Sequence, residues 1–164
     1  MNKIEFRIPS ISDYENVKSI WEDERTMADV GGVFPIDETD YLKWFDRMFV
    51  SGKNKNCYYL IFFDDACAGE VSFHRFDPVE RTAELNIKVK HEYRRKGIGK
   101  KALDHILTVF FKEWYGIEMF DTLRKENTNG IESLKAYGFK ETGTDNDGNI
   151  VLKMTKKEFL SSRI

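Results

Sequence analysis

The sequence predicts a mixed α/β domain, and three observations carry that prediction. Period-two alternation and short apolar runs mark strands, while stripes recurring at three and four residues mark helices. The strands come first as a meander and later separated by helices, which argues a mixed sheet with helices on both faces. The predicted order is β α α β β β α β α β β with a short C-terminal helix. A length of 164 residues suits one domain, 1–164.

Residues 3–8, Lys-Ile-Glu-Phe-Arg-Ile, alternate apolar and charged and predict the first strand. Ser12-Asp-Tyr-Glu15 has the form of a capping box, followed by a stripe of Val17, Ile20 and Trp21. A second helix is expected to open near Asp37 to Thr39, with Leu42, Phe45 and Phe49 on its inner face and Ser51-Gly52 at its end. Tyr58–Phe63 and Cys67–Phe73 predict a hairpin around Asp64-Asp65, and Thr82–Val89 a third strand after Pro78. Gly99–Trp114 is the clearest helix, with Leu103, Ile106, Leu107, Phe110 and Trp114 on one stripe. Met119–Leu123 predicts a strand and Gly130–Tyr137 a helix stopped by Gly138. Phe139–Thr142 and Ile150–Met154 predict strands around the turn-rich Asp145-Asn-Asp-Gly148, and Thr155-Lys-Lys-Glu158 caps a last helix.

Composition excludes several classes. A 41% hydrophobic and 33% charged chain is a globular protein, and a net charge of −2 supplies no global attraction to nucleic acid or anionic membrane. The longest purely apolar run, Tyr58 to Phe63, is far shorter than the roughly 20 residues that span a bilayer. The N-terminus has no apolar signal region, and Cys57 and Cys67 lack any CxxC spacing, so the expectation is a cytoplasmic protein with two unbridged thiols. His74, His91 and His105 have no metal-ligand spacing, so no metal is expected.

One segment carries chemistry. Residues 94–101, Arg-Arg-Lys-Gly-Ile-Gly-Lys-Lys, hold five bases, two glycines and no acid between a predicted strand and a predicted helix. Glycines let backbone N–H groups line a concavity, and the helix N-terminus adds about half a positive charge, an arrangement suited to a polyphosphate. A Walker A loop needs GxxxxGK[ST], and Gly97-Ile-Gly-Lys100 lacks both its spacing and its hydroxyl. Gly97-x-Gly99-x-x-Ala102, with Asp121 further on, matches a dinucleotide fingerprint literally. That fingerprint wants its first glycine directly after an apolar strand, whereas Lys90 to Lys96 intervene here with four bases among them.

Val89-x4-Arg94-Arg95-Lys96-Gly97-Ile98-Gly99 instead resembles the [RQ]xxGx[GA] signature of the GCN5-related N-acetyltransferases, GNAT proteins. Asn127-x-x-Gly130-Ile131 and Gly138-Phe139 resemble that family's Nxx[AG]I…GF segment at its spacing, and the element order agrees. The match covers 57–154 well, and 1–56 by element order alone. The resemblance implies an acceptor-side strand and helices in 1–56, a sheet core with the acetyl-CoA site in 57–154, and a C-terminal helix in 155–164. It implies that the backbone of Ile87, Lys88 and Val89 pairs with the pantetheine arm. The amides of Arg95, Lys96, Gly97, Ile98, Gly99 and Lys100 would hold the pyrophosphate, with charge from Arg94, Arg95 and Lys96. Asn127 would contact the pantetheine, though it has an ordinary alternative as a helix cap.

In the family an amine attacks the thioester directly, with a backbone oxyanion donor (here near Val89), a base for the ammonium and often a tyrosine proton donor for the thiolate. The tyrosine position, seven residues after the Asn, is Leu134 in this chain, and Tyr137, on the adjacent helix stripe, is the available substitute. Glu84, which shares a strand face with Asn86 and Lys88, is the candidate base, with a cross-strand ion pair to Lys88 or Arg75 as its ordinary alternative. His74 stands behind it. From Glu22 to Asp40 seven acids meet a single base, Arg25, in the region the family uses for the acceptor. Trp21, Phe34 and Trp44 offer an apolar or cation–π wall there.

The expected activity is therefore transfer of acetyl from acetyl-CoA to a small cationic amine, without nucleic acid or membrane partners and with a homodimer as one possible assembly. Two alternatives share the fold: an acyl-CoA sensing module, and an acetyltransferase acting on protein N-termini or lysines. A nucleic-acid binder using the basic loop is disfavoured by the absence of an extended basic face.

Overall fold

A computed structural model describes residues 2–163. The alternating N-terminal segment forms β1 (Ile4–Arg7), antiparallel to β2 (Cys57–Phe63), so that Phe6 faces Ile61. β2 continues into β3 (Ala66–His74) through a turn whose central residues, Asp64 and Asp65, both have positive φ (47° and 69°). That is the pair of conformations a tight hairpin requires, and aspartate tolerates it better than most residues. β4 (Thr82–Val89), β5 (Glu118–Leu123), β6 (Lys140–Thr144) and β7 (Ile150–Thr155) complete one sheet of order β1-β2-β3-β4-β5-β7-β6. Only the β4–β5 contact is a parallel one with a helical crossover; β6 and β7 form the hairpin around Asp145.

Helices cover both faces. α1 (Tyr14–Trp21) and α3 (Glu38–Phe45) bury Val17, Ile20 and Tyr41 against Tyr58, Leu60 and Phe62 of β2. α4 (Ile98–Thr108), α5 (Thr128–Tyr137) and α6 (Lys156–Ser161) lie on the other face. Their core joins Leu103, Ile106, Leu107, Phe110, Leu134 and Phe159 to Val71, Phe73, Leu85, Met119 and Leu152. Strand side chains alternate between these two cores, as the period of two demands.

The predicted elements all form, with four differences. A short extra helix, α2 (Glu24–Met27), is capped by Asp23, whose carboxylate accepts from the Thr26 amide. The Ser12–Glu15 capping box does not form. Asp13 is the cap residue, and its carboxylate turns back to accept from the Ser10 amide (2.7 Å), while the Ser12 hydroxyl bonds that of Ser10. Leu42 is 49% exposed; the inner face of α3 runs through Tyr41, Trp44 and Phe45 and continues to Met48 in the wider turn Asp46–Val50, because the aromatic side chains fill the space over Tyr58. The long helix begins at Ile98 and ends in a wider turn over Val109–Glu113 that still keeps Phe110 and Phe111 buried. The capping box at Thr155 and Glu158 forms as expected, and so does the Gly138 stop, with φ 131°.

Candidate active site

The sheet is split where β4 meets β5. The two strands pair only over Thr82↔Glu118, Ala83↔Met119 and Glu84↔Phe120. Beyond Glu84, β4 keeps its ladder with β3 as far as Gly69↔Val89, while β5 pairs only with β7. Leu85 to Val89 therefore have one edge without a strand partner in the interior of a sheet, and an extended ligand backbone is the complement of such an edge. Gly69 keeps β3 close at this point: a Cβ there would lie 2.1 Å from the Lys88 carbonyl oxygen.

The basic loop lies at the open end of this gap. Arg95 and Gly97 take positive φ (64° and 79°), and Ile98 is buried, pinning the start of α4 to the core. Among the described residues, none of the six amides from Arg95 to Lys100 donates a hydrogen bond within the chain. Six unused donors at a helix N-terminus are suited to holding an anion. Gly97 is explained by its φ; Gly99 is not, and a Cβ on it would meet nothing within 4 Å, so its small size leaves room for a ligand rather than for the protein. Arg95, Lys96 and Lys100 are exposed and can add charge.

Arg94 has a different job from its neighbours. Its Nε donates to the Val89 carbonyl (3.1 Å) and its Nη1 pairs with Asp29 (3.0 Å). It braces the loop against the end of β4 and against the segment after α2. The His91 amide makes a second link just upstream, to α2 itself, donating to Thr26 Oγ1 at 2.9 Å. Asn127 caps α5, its Oδ1 accepting from the Gly130 amide (2.9 Å), so the ordinary role is filled while its amide nitrogen remains free to donate.

On the α1–α3 face, β3 and β4 present Glu70, Ser72 and His74 opposite Lys88, Asn86 and Glu84. Glu84 stands at the apex of the split, forms an ion pair with Arg75 and is 21% exposed in its side chain. Burial holds the His74 imidazole below its usual range, partly offset by Glu84. No spacing in the sequence marks the group beside them. Glu70 is buried, and its carboxylate accepts from Trp21 Nε1 (2.6 Å), Tyr58 OH (2.9 Å), Asn86 Nδ2 (2.6 Å) and Lys88 Nζ (3.4 Å). Lys88 also donates to Asn86 Oδ1 at 2.6 Å. Four donors on one carboxylate compensate its desolvation and fix the side chains under α1. Trp21 packs edge-on against both Phe34 (5.7 Å) and Trp44 (5.4 Å), which closes this side with aromatic surface.

Tyr137 does not join this group. Its hydroxyl donates to Asp104 Oδ1 of α4 (2.7 Å) and accepts from Arg163 (2.7 Å), and Asp104 also holds Lys100 (3.1 Å). Burial and the Asp104 carboxylate push the phenol well above its ordinary range, so its proton is committed to that contact. Tyr137 is a tie between α4, α5 and the C-terminal turn. Leu134, at the family's tyrosine position, is buried in the core.

The acid-rich segment also divides on inspection. Asp23 caps α2, Asp37 and Asp40 form the capping box of α3, Glu22 accepts from the Ile36 amide and Asp29 holds Arg94. Most of its negative charge is spent on local structure.

The chain shares its fold with solved acetyltransferases. A spermidine N-acetyltransferase from Vibrio cholerae, in complex with CoA and spermine, superposes with a TM-score of 0.81 at 14% identity, over 96% of this chain and 98% of that one. A probable acetyltransferase gives 0.80 at 20% identity, over 94% of each chain. The PaiA N-acetyltransferase of Thermoplasma acidophilum, in complex with coenzyme A, gives 0.71 at 22% identity, over 93% and 99%. No curated protein sequence matches the chain. The sequence model of the acetyltransferase (GNAT) domain matches residues 3–140, most of the chain, and with it the chain belongs to the GNAT family, as an N-acetyltransferase that draws its acetyl group from acetyl-CoA.

Proposed function

We propose that the enzyme acetylates a small cationic amine of the polyamine kind, with the thioester lying in the β4–β5 gap and the amine entering from the α1–α3 side. The observation that carries the reading is the position of Glu84, the last β4 residue paired with β5, on the face where the acceptor would arrive. Its partner Arg75 has a 74% exposed side chain, and such a pair is worth at most about 1 kcal/mol, so an incoming ammonium can displace it. The amine must lose a proton before it attacks, and Glu84 accepts that proton directly or through one water. The oxyanion that forms at the carbonyl would be met by a backbone N–H near Val89, on the unpaired edge. The pyrophosphate would take the amides of Arg95 to Lys100, and Ile87, Lys88 and Val89 would pair with the pantetheine.

Support for a polyamine comes from the fold shared with spermidine acetyltransferases and from the aromatic wall of Trp21, Phe34 and Trp44, which favours an acceptor combining methylene stretches with positive charge. Thiol release from acetyl-CoA with spermidine, spermine, an aminoglycoside and a peptide N-terminus as acceptors tests it. Spermidine or spermine should have the highest kcat/KM, and Glu84→Gln should lower it most at acidic pH. A preference for the peptide would overturn the acceptor class, and an unchanged Glu84→Gln profile at every pH would overturn the base.

A further inference from the structure

Asp121 is a carboxyl at the split for which the reaction as described has no use. It is the first residue of β5 past the last β4 pair, Glu84↔Phe120. On its other side it stands opposite Leu152 of β7. It is two residues from both Met119 and Leu123 and shares their face of the strand; both are buried in the core that also holds Leu134, so its side chain lies on the α4–α5 face of the sheet. Among the described residues no lysine, arginine or histidine forms an ion pair with it. The charges that act on it are those of Glu84 and Lys88 of β4, across the split and on the other face of the sheet; the core on its own face holds the apolar Leu152 and Leu134.

We propose that Asp121 is the catalytic proton donor to the departing coenzyme A thiolate. This rests on the reading that the thioester lies in the β4–β5 gap. As the amine nitrogen bonds to the acetyl carbon, the C–S bond breaks and its electron pair stays on sulfur. The Asp121 carboxyl proton then moves to that sulfur, giving the free thiol and an Asp121 carboxylate. The proton removed from the ammonium leaves through Glu84 to solvent, and solvent reprotonates Asp121, so charge and protons balance over a turnover. Base and acid thus stand at one apex on opposite faces of the sheet. The task that the family gives to a tyrosine on the helix passes in this chain, where Leu134 holds that position, to the neighbouring strand.

The protonation state agrees. Burial pushes the Asp121 carboxyl up to about 7, against the pull of the Thr122 amide and of Lys88, and the Glu84 carboxylate adds to the rise. The group therefore carries its proton below neutrality and about half the time at it, so a protonated donor is available.

The test is Asp121→Asn, neutral and nearly isosteric, with the wild-type chain and Asp121→Glu beside it. Calorimetry with acetyl-CoA should show unchanged affinity. With spermidine, kcat should fall at least about tenfold, the low side of general acid catalysis because a thiolate already leaves readily. The wild-type decline of kcat as pH rises past about 7 should vanish in Asp121→Asn and move in Asp121→Glu. Slow hydrolysis of acetyl-CoA without any amine expels the same thiol and should fall in parallel. That readout separates the two ideas: if no amine is acetylated, the acceptor reading fails, while hydrolysis still reports on Asp121. A folded Asp121→Asn with unchanged hydrolysis or an unchanged pH profile overturns the proposal. Should that variant not fold, an Asp121→Glu profile identical to wild type overturns it equally.

Discussion

Arg94 and Asp29, 65 residues apart in sequence, meet at 3.0 Å and fasten the loop at the start of α4 to the segment following α2. With the Arg94–Val89 contact, one guanidinium joins the end of β4, the basic loop and the segment after α2. In the sequence Arg94 is one more charge in a basic run. In the fold its charge is already used, which leaves the loop's unpaired backbone amides and Arg95, Lys96 and Lys100 as the groups an anion could meet.

The Glu70 cluster should be the most sensitive polar group in the molecule. Glu70→Ala removes a carboxylate that satisfies Trp21, Tyr58, Asn86 and Lys88, and leaves the partly buried Lys88 without its counter-ion. Breaking a fully buried pair costs about 3–5 kcal/mol, and with Lys88 partly exposed the loss should fall near the lower end. Urea unfolding of Glu70→Ala, Lys88→Met and the double variant measures it, and the double variant should recover part of the loss.

The two loop glycines should separate stability from affinity. Gly97→Ala forces a side chain onto a φ of 79° and should cost about 1–2 kcal/mol. Gly99→Ala lies in the first turn of α4 at an ordinary φ and should leave stability unchanged or raise it by up to about 1 kcal/mol. Both should weaken acetyl-CoA binding, because each puts a methyl group into the approach to the amides. Thermal melts and calorimetry on the same samples would show the divergence, and Gly99→Ala with undiminished affinity would remove the loop from the site.

Acid should destabilise the fold through two histidines. His105 stacks on Phe6 at 4.4 Å, and its Nε2 is buried without a hydrogen-bond partner; burial also lowers His74. A folded-state pKa below the unfolded value, near 6.5, means that the unfolded chain binds more protons, so stability falls as pH drops below that value. His105→Phe keeps the stacking, removes one titrating group, and should flatten the decline in denaturation midpoint between about pH 6.5 and 5.

Tyr137→Phe should distinguish a brace from a catalyst. It removes two hydrogen bonds, to Asp104 and from Arg163, worth about 1 kcal/mol each, and should lower Tm by several degrees with kcat unchanged. A large fall in kcat with Tm unaltered would return Tyr137 to the chemistry.

The fold was legible wherever local rules decide: the hairpin at Asp64-Asp65, the Thr155 capping box, the Gly138 stop and the stripe of α4. So was the loop, since Gly97 and Gly99 need only a few neighbours to be understood. The Glu70 cluster was hidden because its donors come from α1, β2 and β4, brought together by sheet register rather than by spacing. Asp121 was invisible as a proton donor for a related reason: its significance depends on where β4 and β5 part, and strand separation leaves no periodic mark. The acid-rich segment misled in the other direction, because a carboxylate that caps a helix or holds Arg94 looks, in sequence, like one that awaits a cation.

The parting of β4 from β5 also couples metabolism to rigidity. An edge held inside a sheet is shielded from other protein chains, which cannot reach it to pair, but it stays open to a narrow extended ligand. A ligand completing that edge binds the native chain and not the unfolded one, so resistance to unfolding climbs by about 1.4 kcal/mol for each tenfold rise in free acetyl-CoA above its Kd. Amide protons along Leu85–Val89 that exchange quickly without the ligand would then slow in step. The enzyme's lifetime against unfolding and proteolysis would follow the supply of the compound it consumes.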